Sequence, residues 1–180
     1  MKITIINGSP RKNGNCSVLL EEVKRAAEDN NADVVHYNIN ELNIGPCKGC
    51  DYCVSRGHCK FDDDAIEILE NLETSDLLVF ASPIYYGQVT AQSKLIIDRF
   101  YSISMNYSRN FPPKAIAIFT HALEEGAFEN YIGMVKKMPF EYIGCDTKIL
   151  TVGSVSAQGD VKNQRDKLKE AYDLTVEALQ

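Results

Sequence analysis

Four of the six cysteines fall within residues 47–59, CKGCDYCVSRGHC, spaced C-x2-C-x2-C-x5-C. Thiolates are soft ligands, so cysteines packed this densely point to a metal centre, redox-active thiols or a disulfide. Zinc sites ordinarily use two C-x2-C pairs parted by a longer spacer. Here three cysteines come at successive threes and the fourth follows closely, which suits the compact ligation of an iron–sulfur cubane from one loop. Gly45, Pro46, Gly49 and Gly57 supply turns, and Lys48, Arg56 and Lys60 would offset thiolate charge. On residues alone a cubane cluster, free thiols or disulfides, and zinc all stay open.

A second chemical stretch is NGSPRKNGNCS, residues 7–17. It is neither G-x-G-x-x-G nor a Walker A loop. It nevertheless has the parts of a phosphate site. Gly8 and Gly14 allow tight turns, Ser9 and Ser17 carry hydroxyls, Asn13 and Asn15 carry amides, and Arg11 offers a forked cation. A helix starting just behind would add free N–H groups and a partial positive charge. The plainer alternative is a polar loop with an Asn or Ser cap. Cys16 sits where a helix start would stabilise a thiolate, although a small packing residue is its simpler role. Cys145 reads as buried and inert.

The elements that must position these stretches alternate. Residues 2–6, 33–39, 76–81, 114–120 and 148–152 are apolar, β-branched runs that read as strands. Residues 16–29, 63–72, 91–105, 128–137 and 161–179 carry apolar residues at helical spacing. The βαβ rhythm predicts an α/β three-layer sandwich, with five parallel strands in the flavodoxin-like order 2-1-3-4-5 and a switch point between the first and third strands. A chain of 180 residues suits a single domain, here 1–180, with the cysteine-rich loop at 45–62. Parallel strands end on one edge, which predicts that the cysteine loop lies on the same side of the sheet as residues 7–17.

Composition excludes several classes. A net charge of −6 argues against a nucleic-acid partner. No apolar run reaches the roughly 18 residues of a membrane span, so no membrane partner is expected. The N-terminus does not read as a signal peptide, and the expected location is the cytoplasm, where thiols stay reduced.

GSPRKNGNCS, followed by SPIYYGQVTAQSKLIIDRF at residues 82–100, resembles the NADPH-dependent FMN reductases of the flavodoxin-like superfamily. The resemblance extends through GSVSAQGDV before the last helix. It implies that Ser9, Arg11, Asn13, Asn15, Cys16 and Ser17 surround the FMN phosphate, and that Pro83, Ile84, Tyr85, Tyr86 and Gly87 run along the isoalloxazine ring. The residues agree, since Gly87 permits close backbone approach to a flat ligand and the tyrosines can pack on it. Ordinary partial burial is the tyrosines' simpler alternative. Residues 120–126, THALEEG, depart from the family's glycine-rich form. Thr120 and His121 are carried as flavin contacts, with a surface histidine as the other reading. Asp98 and Arg99 read as an exposed pair or a subunit contact.

The cysteine pattern in this position is similar to that of the iron–sulfur flavoproteins of the same superfamily. That resemblance would make Cys47, Cys50, Cys53 and Cys59 ligands of a [4Fe–4S] cluster. The expected function is an FMN-dependent oxidoreductase moving electrons from NAD(P)H, a transient donor, or from a reduced protein donor, to an acceptor. The alternatives are a cluster-free quinone or nitro reductase, or a non-catalytic electron carrier or redox sensor. No obligatory acid–base residue is expected. A homodimer or homotetramer is expected, with residues 40–62 and 105–113 as contact candidates, and a ferredoxin or similar redox partner fits the cluster version.

Overall fold

The computed structural model describes residues 1–105 and 110–180. Residues 106–109, part of one contact candidate, lie outside the described residues. In chain order the elements are β1 (Lys2–Asn7), α1 (Asn15–Asp29), β2 (Asp33–Asn38), α2 (Tyr52–Arg56), α3 (Ala65–Glu73), β3 (Leu77–Tyr85), β4 (Gln88–Val89), α4 (Ala91–Arg99), α5 (Tyr101–Ser104), β5 (Lys114–Thr120), α6 (Glu129–Val135), β6 (Asp146–Val152) and α7 (Arg165–Ala178).

Alternation along the strands builds the layers. Ile3, Ile5, Leu77, Val79, Ile116 and Ile118 point to one face and are covered by α1 and α7. Ile6, Leu78, Phe80, Ala117 and Phe119 point to the other, under α3, α4 and α6. Both faces being dry, the strands read as continuous apolar runs. The strand order is β2-β1-β3-β5-β6, and all four pairings along it are parallel. This is the flavodoxin-like order expected. No helix among the described residues is long and apolar enough to cross a membrane.

Several elements differ from the sequence reading. β3 runs on to Tyr85, because β5 supplies partners as far as Pro83↔Thr120. SPIY is therefore strand, not the loop after it. A small antiparallel strand, β4, then pairs Ile84↔Val89 and Tyr85↔Gln88. The turn between them places Tyr86 and Gly87 at φ 52° and 85°, the positive values that a two-residue hairpin turn demands. The helix expected over 91–105 breaks at Phe100 into α4 and α5. The helix expected to reach residue 137 gives way after Val135 to a kinked segment over Lys136–Glu141, where Met138 leaves helical geometry at φ −138° and ψ 105° and Pro139 lacks an N–H for the helical ladder. The last helix begins at Arg165, after a 3₁₀ turn at Asp160–Asn163.

Candidate functional site

The first crevice forms where β1 and β3 part. The Gly8 N–H donates to the Ala81 carbonyl across that point at 2.8 Å. A Cβ on Gly8 would stand 1.8 Å from Ser93 Oγ, so only glycine fits. The Thr90 hydroxyl donates to the Gly8 carbonyl at 2.7 Å and accepts the Ser93 N–H at 3.1 Å, capping α4. The Ser93 hydroxyl donates to Ser82 Oγ at 2.9 Å. These buried bonds bolt the loop after β1 to β3 and α4.

The loop itself is a chain of local turns. The Ser9 N–H donates to Asn7 Oδ1 (3.1 Å), the Arg11 N–H to Ser9 Oγ (3.2 Å), and the Gly14 N–H to the Arg11 carbonyl (3.0 Å). Gly14 is the N-cap of α1 and has no side chain to cap it. The first-turn amides of α1 therefore lack side-chain acceptors of the usual kind, at the positive end of the helix.

Ser9, Arg11, Asn15, Pro83, Ile84, Tyr85, Thr120 and His121 line one crevice of about 150 Å³, with Gly14, Ala122, Val155 and Ser156. Asn13, Cys16, Ser17, Tyr86 and Gly87 do not line it. Asn13 is exposed on the loop. Asn15 uses its side chain inward, donating to the Ala157 carbonyl at 3.0 Å and accepting the Val161 N–H at 3.2 Å. Cys16 is packed in the core, with its thiol 3.4 Å from Thr120 Oγ1. Burial pushes that thiol up to about 12, opposed by the Thr120 bond, so no thiolate forms there. Ser17 Oγ accepts from Asn7 Nδ2 at 3.2 Å. Tyr86 stands fully in solvent at the hairpin tip. Val155 and Ser156 were not singled out from sequence. Their signal is topological: the loop after β6 leaves the same sheet edge, and Arg11 donates to the Ser156 carbonyl at 3.0 Å.

His121 is buried, not a surface residue, at 3% exposure. Its Nδ1 donates to the Leu123 carbonyl at 3.1 Å, which leaves Nε2 as an acceptor. Nε2 is buried with no partner among the described residues. An unpartnered buried polar atom, in a residue that lines the crevice, is costly unless a bound group reaches it.

The cysteines make a second, separate centre. Cys47, Cys50, Cys53 and Cys59 line one small cavity, together with Phe61, Arg99 and Tyr101. It shares no lining residue with the crevice. All six cysteines are free thiols, so none of the described residues forms a disulfide. Among the described residues no three Cys, His, Asp or Glu side chains converge enough to hold a single ion. The four cysteines line one space, a soft thiol donor set of the kind that iron–sulfur cores and zinc ions both take. Burial, then the charges of Cys59 and Cys47, push the Cys53 thiol up, with backbone amides opposing. The loop is mostly exposed, with Asp51, Gly49 and Gly57 at positive φ and the short helix α2 inside it.

Arg99 is neither exposed nor paired with Asp98, whose carboxylate meets Lys94. It is 1% exposed and grips Asp63 through two bonds, Nη1 to Oδ2 at 2.7 Å and Nη2 to Oδ1 at 3.0 Å. Partial burial would raise the Asp63 carboxyl, but the Arg99 fork and the amides of Gly45 and Ala65 outweigh it and hold it below its ordinary range. Arg99 lies nine residues along α4 from Thr90, roughly 13 Å at 1.5 Å per residue. The cysteine loop leaves the expected sheet edge but is tied back along α4, away from the crevice.

A family model described as NADPH-dependent FMN reductase matches residues 1–130. The chain belongs to the NADPH-dependent FMN reductase family. An iron–sulfur flavoprotein of Methanocaldococcus jannaschii is 33% identical over 119 residues, 66% of this chain and 62% of that protein. One of Archaeoglobus fulgidus is 41% identical over 99 residues, 55% of this chain and 45% of its own length. The matches thus span about half to three-fifths of these relatives. An NAD(P)H:quinone oxidoreductase from Methanothermobacter marburgensis superposes with a TM-score of 0.79 at 15% identity, covering 100% of this chain and 98% of that one. An FMN-dependent NADH-azoreductase from Bacillus anthracis, solved with FMN, gives 0.71 at 13% identity, with 100% of both chains covered. These two likenesses show the fold.

Proposed function

We propose that this family member is an FMN-dependent oxidoreductase that draws electrons from NAD(P)H or a reduced protein donor and passes them to an acceptor. One observation carries the reading. A helix N-terminus without a side-chain cap, Arg11 and His121, whose buried Nε2 has no partner, all line one crevice that β3 walls with Pro83–Tyr85. An anionic ligand with a hydrogen-bond donor further along satisfies all three. Whole-ligand sites run to roughly 300–1,000 Å³. A crevice of about 150 Å³ suits the phosphate and ribityl end, leaving the flat ring to the open rim near Tyr85. FMN, when bound, supplies hydride and single-electron chemistry. The chain's own part is to anchor the phosphate at α1, to accept a hydrogen bond at His121 Nε2, and to leave a face open for a transient nicotinamide.

The finer reading adds a [4Fe–4S] cluster on Cys47, Cys50, Cys53 and Cys59. The shared cavity and the thiolate donor set support it, and the relatives named iron–sulfur flavoproteins point the same way. It would make a ferredoxin-like protein a suitable partner. The reading also keeps a homodimer or homotetramer, supported by Tyr52 and Val54, which stand exposed on the contact-candidate loop. Protein purified without oxygen tests both levels. Flavin bands with stoichiometric FMN are expected, and flavin-free protein that takes up no FMN would sink the first. A broad added absorbance with iron and acid-labile sulfide is expected, and their absence after reconstitution leaves the cluster-free reductase.

A further inference from the structure

We propose that Arg99 is the positioning residue of the cysteine centre: from α4 its buried guanidinium fastens both ends of the four-cysteine loop and places a fixed positive charge against the thiols. Four contacts carry this. Nη1 donates to the Gly45 carbonyl at 3.1 Å, just before Cys47. Nη2 reaches the Phe61 carbonyl at 3.4 Å, just after Cys59. The same two nitrogens hold Asp63 as a fork, and Asp63 in turn accepts the Gly45 N–H at 3.0 Å and the Ala65 N–H at 3.2 Å. One planar cation thus closes the base of the loop and joins it to the start of α3. Lysine, a single point donor, cannot make these bonds together.

The cation also belongs to the thiols' surroundings. Arg99 and the four cysteines line the same small cavity, so the guanidinium is part of the thiols' immediate surroundings. Its Nε is buried with no hydrogen-bond partner among the described residues. Asp63 already pairs this cation, and a thiolate-bound group in the shared cavity would be a second anion against it. Cys47 and Cys50 are exposed to solvent, whereas Cys53 is buried. A cation held this near stabilises the more negative, reduced state of any redox group placed there.

Arg99→Gln, Arg99→Lys and Asp63→Asn test the assignment, with FMN affinity as the control for folding, since Arg99 does not touch the crevice. In protein stripped of metal by chelator, residue-resolved alkylation is expected to leave Cys53 slow in the native chain. It should become about tenfold or more faster in all three variants, as the base of the loop opens. In reconstituted protein, iron occupancy should fall in all three. The charge arm rests on the cluster reading above. There the midpoint potential should be more negative in Arg99→Gln and close to native in Arg99→Lys, a contrast that a purely structural brace would not give. Cys53 rates within about twofold of native in variants that still bind FMN would overturn the fastening role. Equal potentials in the Gln and Lys variants would overturn the electrostatic one. If native protein takes up no iron, the cluster reading fails and the Cys53 rates still decide the fastening role.

Discussion

His121 lines the crevice, donates from Nδ1 to the Leu123 carbonyl and keeps a buried, unpartnered Nε2. Replacing the ring by phenylalanine removes that acceptor while keeping an aromatic plate against Phe128, whose ring centroid lies 5.1 Å away. His121→Phe is expected to weaken FMN binding about fivefold, the worth of one hydrogen bond of about 1 kcal/mol. The melting temperature of the flavin-free protein should hardly move, because removing the unsatisfied Nε2 offsets the loss of the Nδ1 bond to Leu123. Flavin fluorescence titration and calorimetry check the two halves. Cys16 and Cys145 make a second prediction at this scale. Burial pushes both thiols from the ordinary 9.0 up to about 12. Below pH 9 they are neutral in folded and unfolded chains alike. Between about 9 and 12 only the unfolded chain ionises, so the stability they lend is whole below pH 9 and is lost as pH climbs through that window. Urea midpoints measured upward from pH 8 should fall, and native-state alkylation at pH 8 should spare these two thiols. Residue types announced Arg11, the cysteines and the glycines as chemical. They could not announce that the Asn15 amide turns toward Ala157 or that Arg99 is buried, since those orientations depend on partners far along the chain.

At the scale of elements, α4 ties the two centres together. Its N-cap, Thr90, holds Gly8, and its last residue, Arg99, holds the base of the cysteine loop. Thr90→Val keeps the shape but strands the Gly8 carbonyl and uncaps the helix. It is expected to cost about 1–2 kcal/mol of stability and to weaken FMN binding, with Thr90→Ser restoring most of both. Chemical unfolding beside a flavin titration measures it. Strand and helix positions were legible because apolar period is a local property. The ends were not. β3 lengthens because β5 and β4 offer it partners, and the helix over 91–105 breaks where Phe100 enters the core.

Over the whole molecule, one sheet divides two apolar layers, and the functional loops leave its C-terminal edge. Tyr52, Val54 and the cysteines Cys47 and Cys50 are exposed on the loop after β2, the surface proposed above for self-association. Sedimentation velocity is expected to return two or four chains per particle, and a single chain at micromolar concentration would count against self-association. The order of strands, the parallel sheet, the polar, turn-rich loop after β1 and the dense cysteine spacing follow from the sequence by itself, because hydrophobic period, turn chemistry and ligand type are written in neighbouring residues. Tertiary structure alone decided that the cysteine loop lies back along α4 and not in the crevice, that Cys16 packs while His121 is left with an open acceptor, and that Arg99 joins Gly45, Phe61 and Asp63. The Cys16–Thr120 and Arg99 contacts pair residues far apart in the chain, which only the packing of finished elements brings within reach, and His121 keeps its open acceptor because that packing brings no donor to it.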